Sequence, residues 1–324
     1  MGYAPRVLII SNRQDTHVPV VTRHLDRFEA PYFIFNTEEF GAQVLGTFSL
    51  AVQNSMILRS ANVEVPIDDL RSVWYRRPKP PLLSNLEPEA ARNFAQSEQK
   101  AFLDGLLACL DCAWLSKPSS IRNAGHKILQ LRVAQHLGFH IPPTLVSQSP
   151  REIREFRAAV GKPLAAKLVA KGPPVAPTVE EQYVVFTQLL DDTDLDDEKT
   201  LAACVTMYQP YVAKKFELRV TVVGDEVFAC RIDSQASEQT QIDWRRYDLD
   251  NTPHSTYLLD SDTRKKCLEL VKYFGLAFGA IDLIVTPQDE LVFLEINPNG
   301  QWGWIEELTG MPISEAVARY LCEA

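Results

Sequence analysis

The residues with the most chemical content lie toward the end of the chain. Asp282 stands in Phe278-Gly-Ala-Ile-Asp-Leu-Ile-Val285, and Glu295 and Asn297 in Leu291-Val-Phe-Leu-Glu-Ile-Asn-Pro-Asn-Gly300. Both runs read as short apolar strands. Pro287-Gln-Asp289 between them supplies turn chemistry, so the spacing predicts a hairpin. Side chains two apart on a strand share a face, so Glu295 and Asn297 project together and Asp282 can sit across from them. Two carboxylates and an amide oxygen make a hard, oxygen-only donor set suited to a Mg²⁺ ion that also holds phosphates. The plainer reading makes them polar groups at a sheet rim, with Asn-Pro-Asn-Gly serving only as a turn. Against it, an acid inside Phe-Leu-Glu-Ile-Asn is poorly explained by solvation.

Cations of matching chemistry occur upstream. Lys167 lies inside the apolar run Leu164-Ala-Ala-Lys-Leu-Val169, where burial is costly unless the ammonium meets an anion. Lys127 closes Asn123-Ala-Gly-His-Lys127, near the start of a helix predicted over 121–137 and capped by Gly138. Anions are favoured at that end of a helix dipole. Arg219 in Phe216-Glu-Leu-Arg219 and Arg231 on the next strand could hold a phosphate or an activated carboxylate bidentately. Phosphoryl transfer needs positive charge on the phosphates and a metal bridging them. Any one of these lysines or arginines, taken alone, also reads as a solvated strand end. Their joint presence with the acidic hairpin is harder to dismiss.

The elements that must position these groups fall into three blocks. Arg6–Ile10 and Tyr32–Phe35 read as strands joined by a helix near 18–28, a β-α-β unit with a right-handed crossover. No G-x-G-x-x-G follows the first strand, so a dinucleotide-binding fold is not supported. Short antiparallel strands are predicted near 48–52, 56–58 and 63–65. Val73-Trp-Tyr-Arg-Arg-Pro78 ends this block, and a long amphipathic helix follows over 89–112. The second block has strands at 141–146, 164–169 and 183–187, a capping box at Ser149 and Glu152, and six acids among the eight residues 191–198. Such a charge run alone reads as a solvated turn. The third block holds strands at 205–212, 216–224 and 227–233, a helix at 262–274, the hairpin, and helices at 301–309 and 313–322. The fold class is α+β, divided as 1–118, 119–207 and 208–324.

Composition narrows the function. With 324 residues, 46% hydrophobic and 23% charged, the chain matches a soluble protein of two or three packed units. No apolar run approaches the roughly 18 to 20 residues that a membrane span needs. Met-Gly-Tyr-Ala-Pro-Arg has no secretory layout, and the six cysteines are scattered, so a reducing cytoplasm is the expected location. A net charge of −9 argues against general nucleic-acid binding.

Asp282 followed by Glu295-Ile-Asn-Pro298 resembles the metal hairpin of ATP-grasp ligases. The longer run 295–310 with Pro312-Ile-Ser-Glu-Ala316 is similar to a narrower group, the ATP-grasp ligases that macrocyclise ribosomal peptides (microviridin-type, or graspetide, maturases). Val73-Trp-Tyr-Arg-Arg77, Glu217 to Gly224, Ile242-Asp-Trp-Arg245 and Lys272-Tyr-Phe-Gly275 extend the likeness over most of the chain. The resemblance implies an ATP-grasp fold behind an N-terminal pre-ATP-grasp α/β domain. It also implies ATP and Mg²⁺ as cofactors, with Lys127 and Lys167 on phosphates. Gln209, Tyr211 and Val212 would form the adenine hinge, Glu217 would meet the ribose, and Asp282, Glu295 and Asn297 would hold the metal. Arg219 and Arg231 would be catalytic. The implied substrate is a precursor peptide, leader plus core. Its Asp or Glu side chains would be activated and joined to Ser or Thr hydroxyls, or to Lys amines. Asp194 and Asp197, in the acidic run, would grip an Arg of the leader, and a homodimer is the expected assembly.

The sequence departs from the family pattern at two places. Pro210 stands where an acid is common, and the phosphate-covering loop Lys171-Gly-Pro-Pro-Val-Ala-Pro177 has one glycine and three prolines. A ligase acting on free amino acids or small carboxylates, of glutathione-synthetase-like or glutamate-adding type, therefore stays open. A third reading, a non-catalytic peptide- or nucleotide-binding protein, is argued against by the intact Asp282, Glu295 and Asn297.

Overall fold

The structure is a computed structural model that describes residues 6–52, 55–83, 86–170 and 186–323. Its first unit is a parallel sheet in which Val7–Ser11 pairs with Tyr32–Asn36 on one side and Ser72–Tyr75 on the other, and Ser72–Tyr75 pairs with Ala113–Trp114. Every residue of Val7–Ser11 is buried, which is why it reads as an unbroken apolar run rather than an alternating one. Val7 and Ile9 pack with helix His17–Arg27 and the terminal helix Ile313–Glu323. Leu8 and Ile10 face the opposite way, onto helix Glu89–Ala108 and a small antiparallel sheet of Leu45–Ser49, Ser55–Arg59 and Glu64–Pro66.

A second, antiparallel sheet runs in the order Gln188–Leu190, Leu164–Lys167, Thr206–Pro210, Leu145–Ser147. Helix Pro150–Val160 and two short helices cover it through Ile153, Leu195 and Leu201. Ser149 accepts a hydrogen bond from the Glu152 amide, but the Glu152 side chain goes to Ser147, so only half of the capping box forms. The boundary expected at 207 falls inside strand Thr206–Pro210, whose pairing belongs to this sheet.

The third sheet is antiparallel, in the order His254–Thr256, Glu226–Ile232, Phe216–Val223, Phe278–Val285, Leu291–Asn297. Its central strands, Phe216–Val223 and Phe278–Val285, are buried throughout. Leu218, Val220 and Val222 pack against helix Ser261–Tyr273 and the helices after residue 117. The other face meets helix Ile313–Glu323, which bridges to the first unit.

Local chemistry reshapes several expected elements. The helix expected over 121–137 is two helices, Pro118–Ala124 and Lys127–His136, because His126 turns extended after Gly125 and starts the second one. Gly138, at φ +80, closes it as expected. Pro142 and Pro143 lack amide donors, so the strand expected from 141 forms only at Leu145–Ser147. The acidic run is not a turn: Asp192–Asp196 and Glu198–Ala203 are helical. Asp191 and Asp194 form a reciprocal capping box on the first, and Asp197 caps the second through the Thr200 amide. The loop at 171–177, and residues 183–185 of the strand expected at 183–187, lie outside the described residues.

Candidate active site

The hairpin forms as the spacing predicts, and its register sets Asp282 opposite Glu295 and Ala280 opposite Asn297. A bulge between Asp282 and Leu283 shifts the register just beyond this pair. A cavity of about 570 Å³ opens over this face and lies between the second and third sheets. That volume lies within the roughly 300 to 1,000 Å³ usual for a small-molecule site. Asp282, Glu295 and Asn297 all line it, and so do Lys127, Lys167, Gln209, Tyr211, Val212 and Glu217. Residues from chain segments far apart in sequence thus meet in one place.

Each acid of the cavity has a cation. Asp282 is buried, and one guanidinium nitrogen of Arg219 donates to both of its oxygens at 2.8 Å. Burial pushes the Asp282 carboxyl above the ordinary carboxylate range against the pull of Arg219, and the Glu295 charge pushes it further. Glu295 is half-buried and lies 3.2 Å from Lys127 Nζ. Burial alone would raise it, but Lys127, Arg245 and Lys167 together hold it below its usual value. Desolvation pulls the Lys167 ammonium down to about 8, with Glu295 opposing. Its Nζ donates to Gln209 Oε1 at 2.8 Å, so the lysine inside an apolar strand has met an amide rather than an anion.

The hinge residues divide their duties. Gln209 is buried and donates to Thr144, so its side chain is structural. The Tyr211 amide donates to Pro163. Val212 leaves its amide without a partner among the described residues. Glu217 is buried, its carboxyl raised by burial against the pull of Lys214, from which it accepts at 2.7 Å; it also accepts from Ser234 at 2.9 Å.

Arg219 reaches the site through Asp282 rather than lining the cavity, and its guanidinium lies 5.7 Å from the Trp244 ring centre. Gly300 permits this approach: a Cβ there would stand 2.4 Å from Ala280 Cβ and 2.8 Å from the Arg219 guanidinium. Arg231 is not brought to the site. It pairs across from Leu218, so it shares the face opposite to Glu217 and Arg219, where it stacks on Phe216 and pairs with Asp233. Asp194 and Asp197 are exposed and do not line the cavity. Their oxygens already accept from the Asp191 amide and from the Thr200 amide and hydroxyl.

Several residues carried no site role in the sequence reading, although Arg76, Arg77 and Arg245 stand in motifs quoted there. Gln130, buried on helix Lys127–His136, accepts from the Ile296 amide and donates to the Ile296 carbonyl. It thereby holds the residue between Glu295 and Asn297, and its only signal was an amide among apolar neighbours. Lys214 neutralises Glu217 at a three-residue spacing that could have been noticed. Arg245 pairs with Asp243 at the cavity wall, and burial there is outweighed by Arg245, which holds the Asp243 carboxyl low. Arg76 and Arg77, at the end of strand Ser72–Tyr75, also reach this region.

A sandwich of two antiparallel sheets closing on a phosphate- and metal-suited cavity, behind a parallel α/β unit, is the architecture of an ATP-grasp ligase. Residues 6–122 match the family model described as the MvdD pre-ATP grasp domain. The macrocyclase MdnC of Microcystis aeruginosa, solved with its precursor peptide MdnA, is 32% identical at a TM-score of 0.86 and covers 98% of this chain and 99% of its own. A RiPP-associated ATP-grasp ligase of Chryseobacterium gregarium, solved with ADP and a leader and core peptide, is 31% identical at a TM-score of 0.89, covering 98% and 97%. The macrocyclase MdnB of Microcystis aeruginosa is 28% identical at a TM-score of 0.80, covering 98% and 99%. No curated protein matches the sequence. The chain belongs to the ATP-grasp ligases of ribosomal-peptide maturation, the graspetide-type macrocyclases.

Proposed function

We propose that this chain is an ADP-forming ligase that macrocyclises a ribosomally made precursor peptide, joining its Asp or Glu side chains to Ser or Thr hydroxyls or to Lys amines. The carrying observation is the convergence of Asp282, Glu295 and Asn297 with Lys127 and Lys167 on one cavity, in a chain similar end to end to two ligases solved with peptides.

The donor chemistry fits the cofactors. Among the described residues no group of three or more His, Cys, Asp or Glu could hold a metal by itself. Two carboxylates and one amide oxygen instead suit Mg²⁺, an ion that keeps water and takes further oxygens from phosphates. Asp282, Glu295 and Asn297 would hold it, and Lys127 and Lys167 would hold phosphates. The free Val212 amide would read the adenine edge, and Glu217 would meet the ribose. ATP bound there supplies the phosphoryl group: a carboxylate oxygen takes the γ-phosphorus as ADP leaves, and phosphate then leaves as the hydroxyl or amine takes the acyl carbon and loses its proton. Arg219 opposes the protonation that burial favours at Asp282 and fixes the direction of its carboxyl group. Trp244 and Ile242, on the 233–256 segment, help wall the cavity from water.

The remaining parts of this reading are a division near 118 and 207, a leader site at Asp194 and Asp197, a homodimer and a cytoplasmic location. The match over 6–122 supports the first boundary. Among the described residues no helix is long and apolar enough to cross a membrane. The test is to incubate the chain with ATP, Mg²⁺ and the precursor peptide encoded beside its gene. Each closed ring should remove one water from the peptide mass and release one ADP. ADP release with free glutamate or another small carboxylate, and none with the peptide, would overturn the reading.

A further inference from the structure

Among the described residues five cationic side chains line the cavity: Arg77, Lys127, Lys167, Lys214 and Arg245. Four are engaged, Lys127 with Glu295, Lys167 with Gln209, Lys214 with Glu217 and Arg245 with Asp243. The Arg77 side chain has no hydrogen bond or ion pair among the described residues. Arg76, its neighbour in the chain, is engaged with Asp15 and with the carbonyls of Asn299 and Gly300, so it takes no anion from the cavity. A half-buried guanidinium that faces the cavity without an anion is a ready partner for an incoming carboxylate.

The backbone that carries Arg77 is held tightly. Asn12 Nδ2 donates to the Arg77 carbonyl at 2.6 Å, and Asn299 Nδ2 donates to the Arg76 carbonyl at 2.8 Å. Arg76 is itself buried, 3.4 Å from Asp15, and donates to the carbonyls of Asn299 at 2.6 Å and Gly300 at 3.0 Å. Those residues directly follow Asn297, whose side chain accepts from the Asn299 amide. His17 extends the clamp: its Nε2 accepts from the Trp302 and Gly303 amides at 3.2 Å each. Arg77 is thus a free guanidinium supplied by the N-terminal unit and set in a fixed relation to the metal hairpin.

We infer that Arg77 binds the carboxylate of the peptide acid that is to be activated. This rests on the ligase reading above and assigns its acid subsite. On that reading Lys127 and Lys167, both outside the N-terminal unit, hold the nucleotide phosphates, which leaves Arg77 of the N-terminal unit for the acid. A planar guanidinium matches a carboxylate in a two-point contact that an ammonium does not reproduce. Selection of Asp or Glu over Asn or Gln follows, because an amide would leave the Arg77 charge unpaired.

The experiment measures binding of the precursor peptide, and of the same peptide with its core Asp and Glu changed to Asn and Gln, in the presence of Mg²⁺ and ADP. For the unmodified enzyme the amide peptide should bind roughly 10- to 100-fold more weakly, the range for a charge-assisted hydrogen bond. In Arg77→Gln that difference should collapse to near unity, while ADP affinity stays within about twofold. Arg77→Lys should restore only part of it. Thermal unfolding of Arg77→Gln, expected unchanged, is the separate control for folding. Loss of ADP affinity in Arg77→Gln would make Arg77 a phosphate ligand and overturn the inference. So would an undiminished preference for the acid peptide. An unmodified enzyme that cyclises no peptide would instead fail the ligase reading.

Discussion

Replacing Glu295 by Gln separates the metal role from a structural one. The change keeps volume and removes one of two carboxylates from the donor set. In the folded chain Glu295 is paired with Lys127 at 3.2 Å, and the two side chains are 29% and 21% exposed. A partly open pair of this kind contributes on the order of 1 kcal/mol or less. Removing the charge also relieves the repulsion that raises Asp282, which offsets part of the loss. Tm at neutral pH should therefore move by about 2 °C or less. The sign with pH follows from the depressed Glu295 carboxyl: its stabilisation is present above the ordinary carboxylate range and lost as pH falls through the folded value. The small deficit of the variant should vanish in acid. Turnover should behave differently. Loss of an outer partner of a metal ligand costs roughly 10- to 100-fold, and loss of a charged ligand itself should cost at least the upper end of that range. ADP release would be followed against Mg²⁺ concentration, alongside thermal unfolding at pH 7 and pH 4. Near-normal turnover with an unchanged Mg²⁺ requirement would refute the site. A collapse in Tm would show that Glu295 serves the fold.

Lys127→Met and Lys167→Met should each weaken ATP binding by roughly tenfold or more while leaving adenosine binding less affected, because adenosine has no phosphate to lose. Equal losses, measured by calorimetry, would point to misfolding. The Lys167 ammonium, lowered to about 8, carries its charge below that pH and loses it above, so ATP affinity should fall as pH rises through about 8. Stability of the ligand-free chain should move the other way between pH 8 and the ordinary lysine range, since there the unfolded chain binds the extra proton; both trends should disappear in Lys167→Met. Asp194→Asn with Asp197→Asn should leave folding intact, because asparagine also caps helices, and should weaken precursor binding at low salt while sparing ATP. Affinity unchanged at both low and high salt would remove those acids from the peptide site.

What could be read from the sequence followed from period and burial. Phe278–Val285 and Leu291–Asn297 are short, apolar and joined by turn residues, so the hairpin and the shared face of Glu295 and Asn297 were available before the structure, whereas the bulge beside Asp282 was not. The β-α-β start was legible for the same reason. Arg219 with Asp282 was not, because the pair depends on a register between strands 63 residues apart. Arg231 misled for a related reason: its place on a strand was visible, but its face depended on pairing with Leu218. The acidic run looked like a solvated turn because composition does not reveal that Asp191 and Asp197 begin helices whose Leu195 and Leu201 are buried. At Gly125 the helical period runs straight through, yet the chain breaks and restarts, which makes Lys127 the first residue of its helix. Gln130 and Lys214 escaped notice because their value lies in what they touch, Ile296 and Glu217.

The ion pairs also account for how a site so rich in charge stays folded before its ligands arrive. A buried carboxylate stripped of its partner costs about 3–5 kcal/mol, and the cavity holds several. Each has a cation within reach, but the pairs differ in kind. Arg219 spans both oxygens of Asp282, and both side chains are closed to solvent. Lys127 makes a single contact with Glu295 in a half-open setting. A divalent ion taking over the Glu295 carboxylate would free Lys127 at the moment a phosphate needs it, whereas Arg219 would keep its hold and fix the direction of Asp282. The exchange would leave neither Glu295 nor Lys127 without an opposite charge, so little binding energy would be consumed in desolvating a bare charge. On the proposed reading Lys127, at the first turn of its helix, would hold the place of the metal at Glu295 until the ligands arrive.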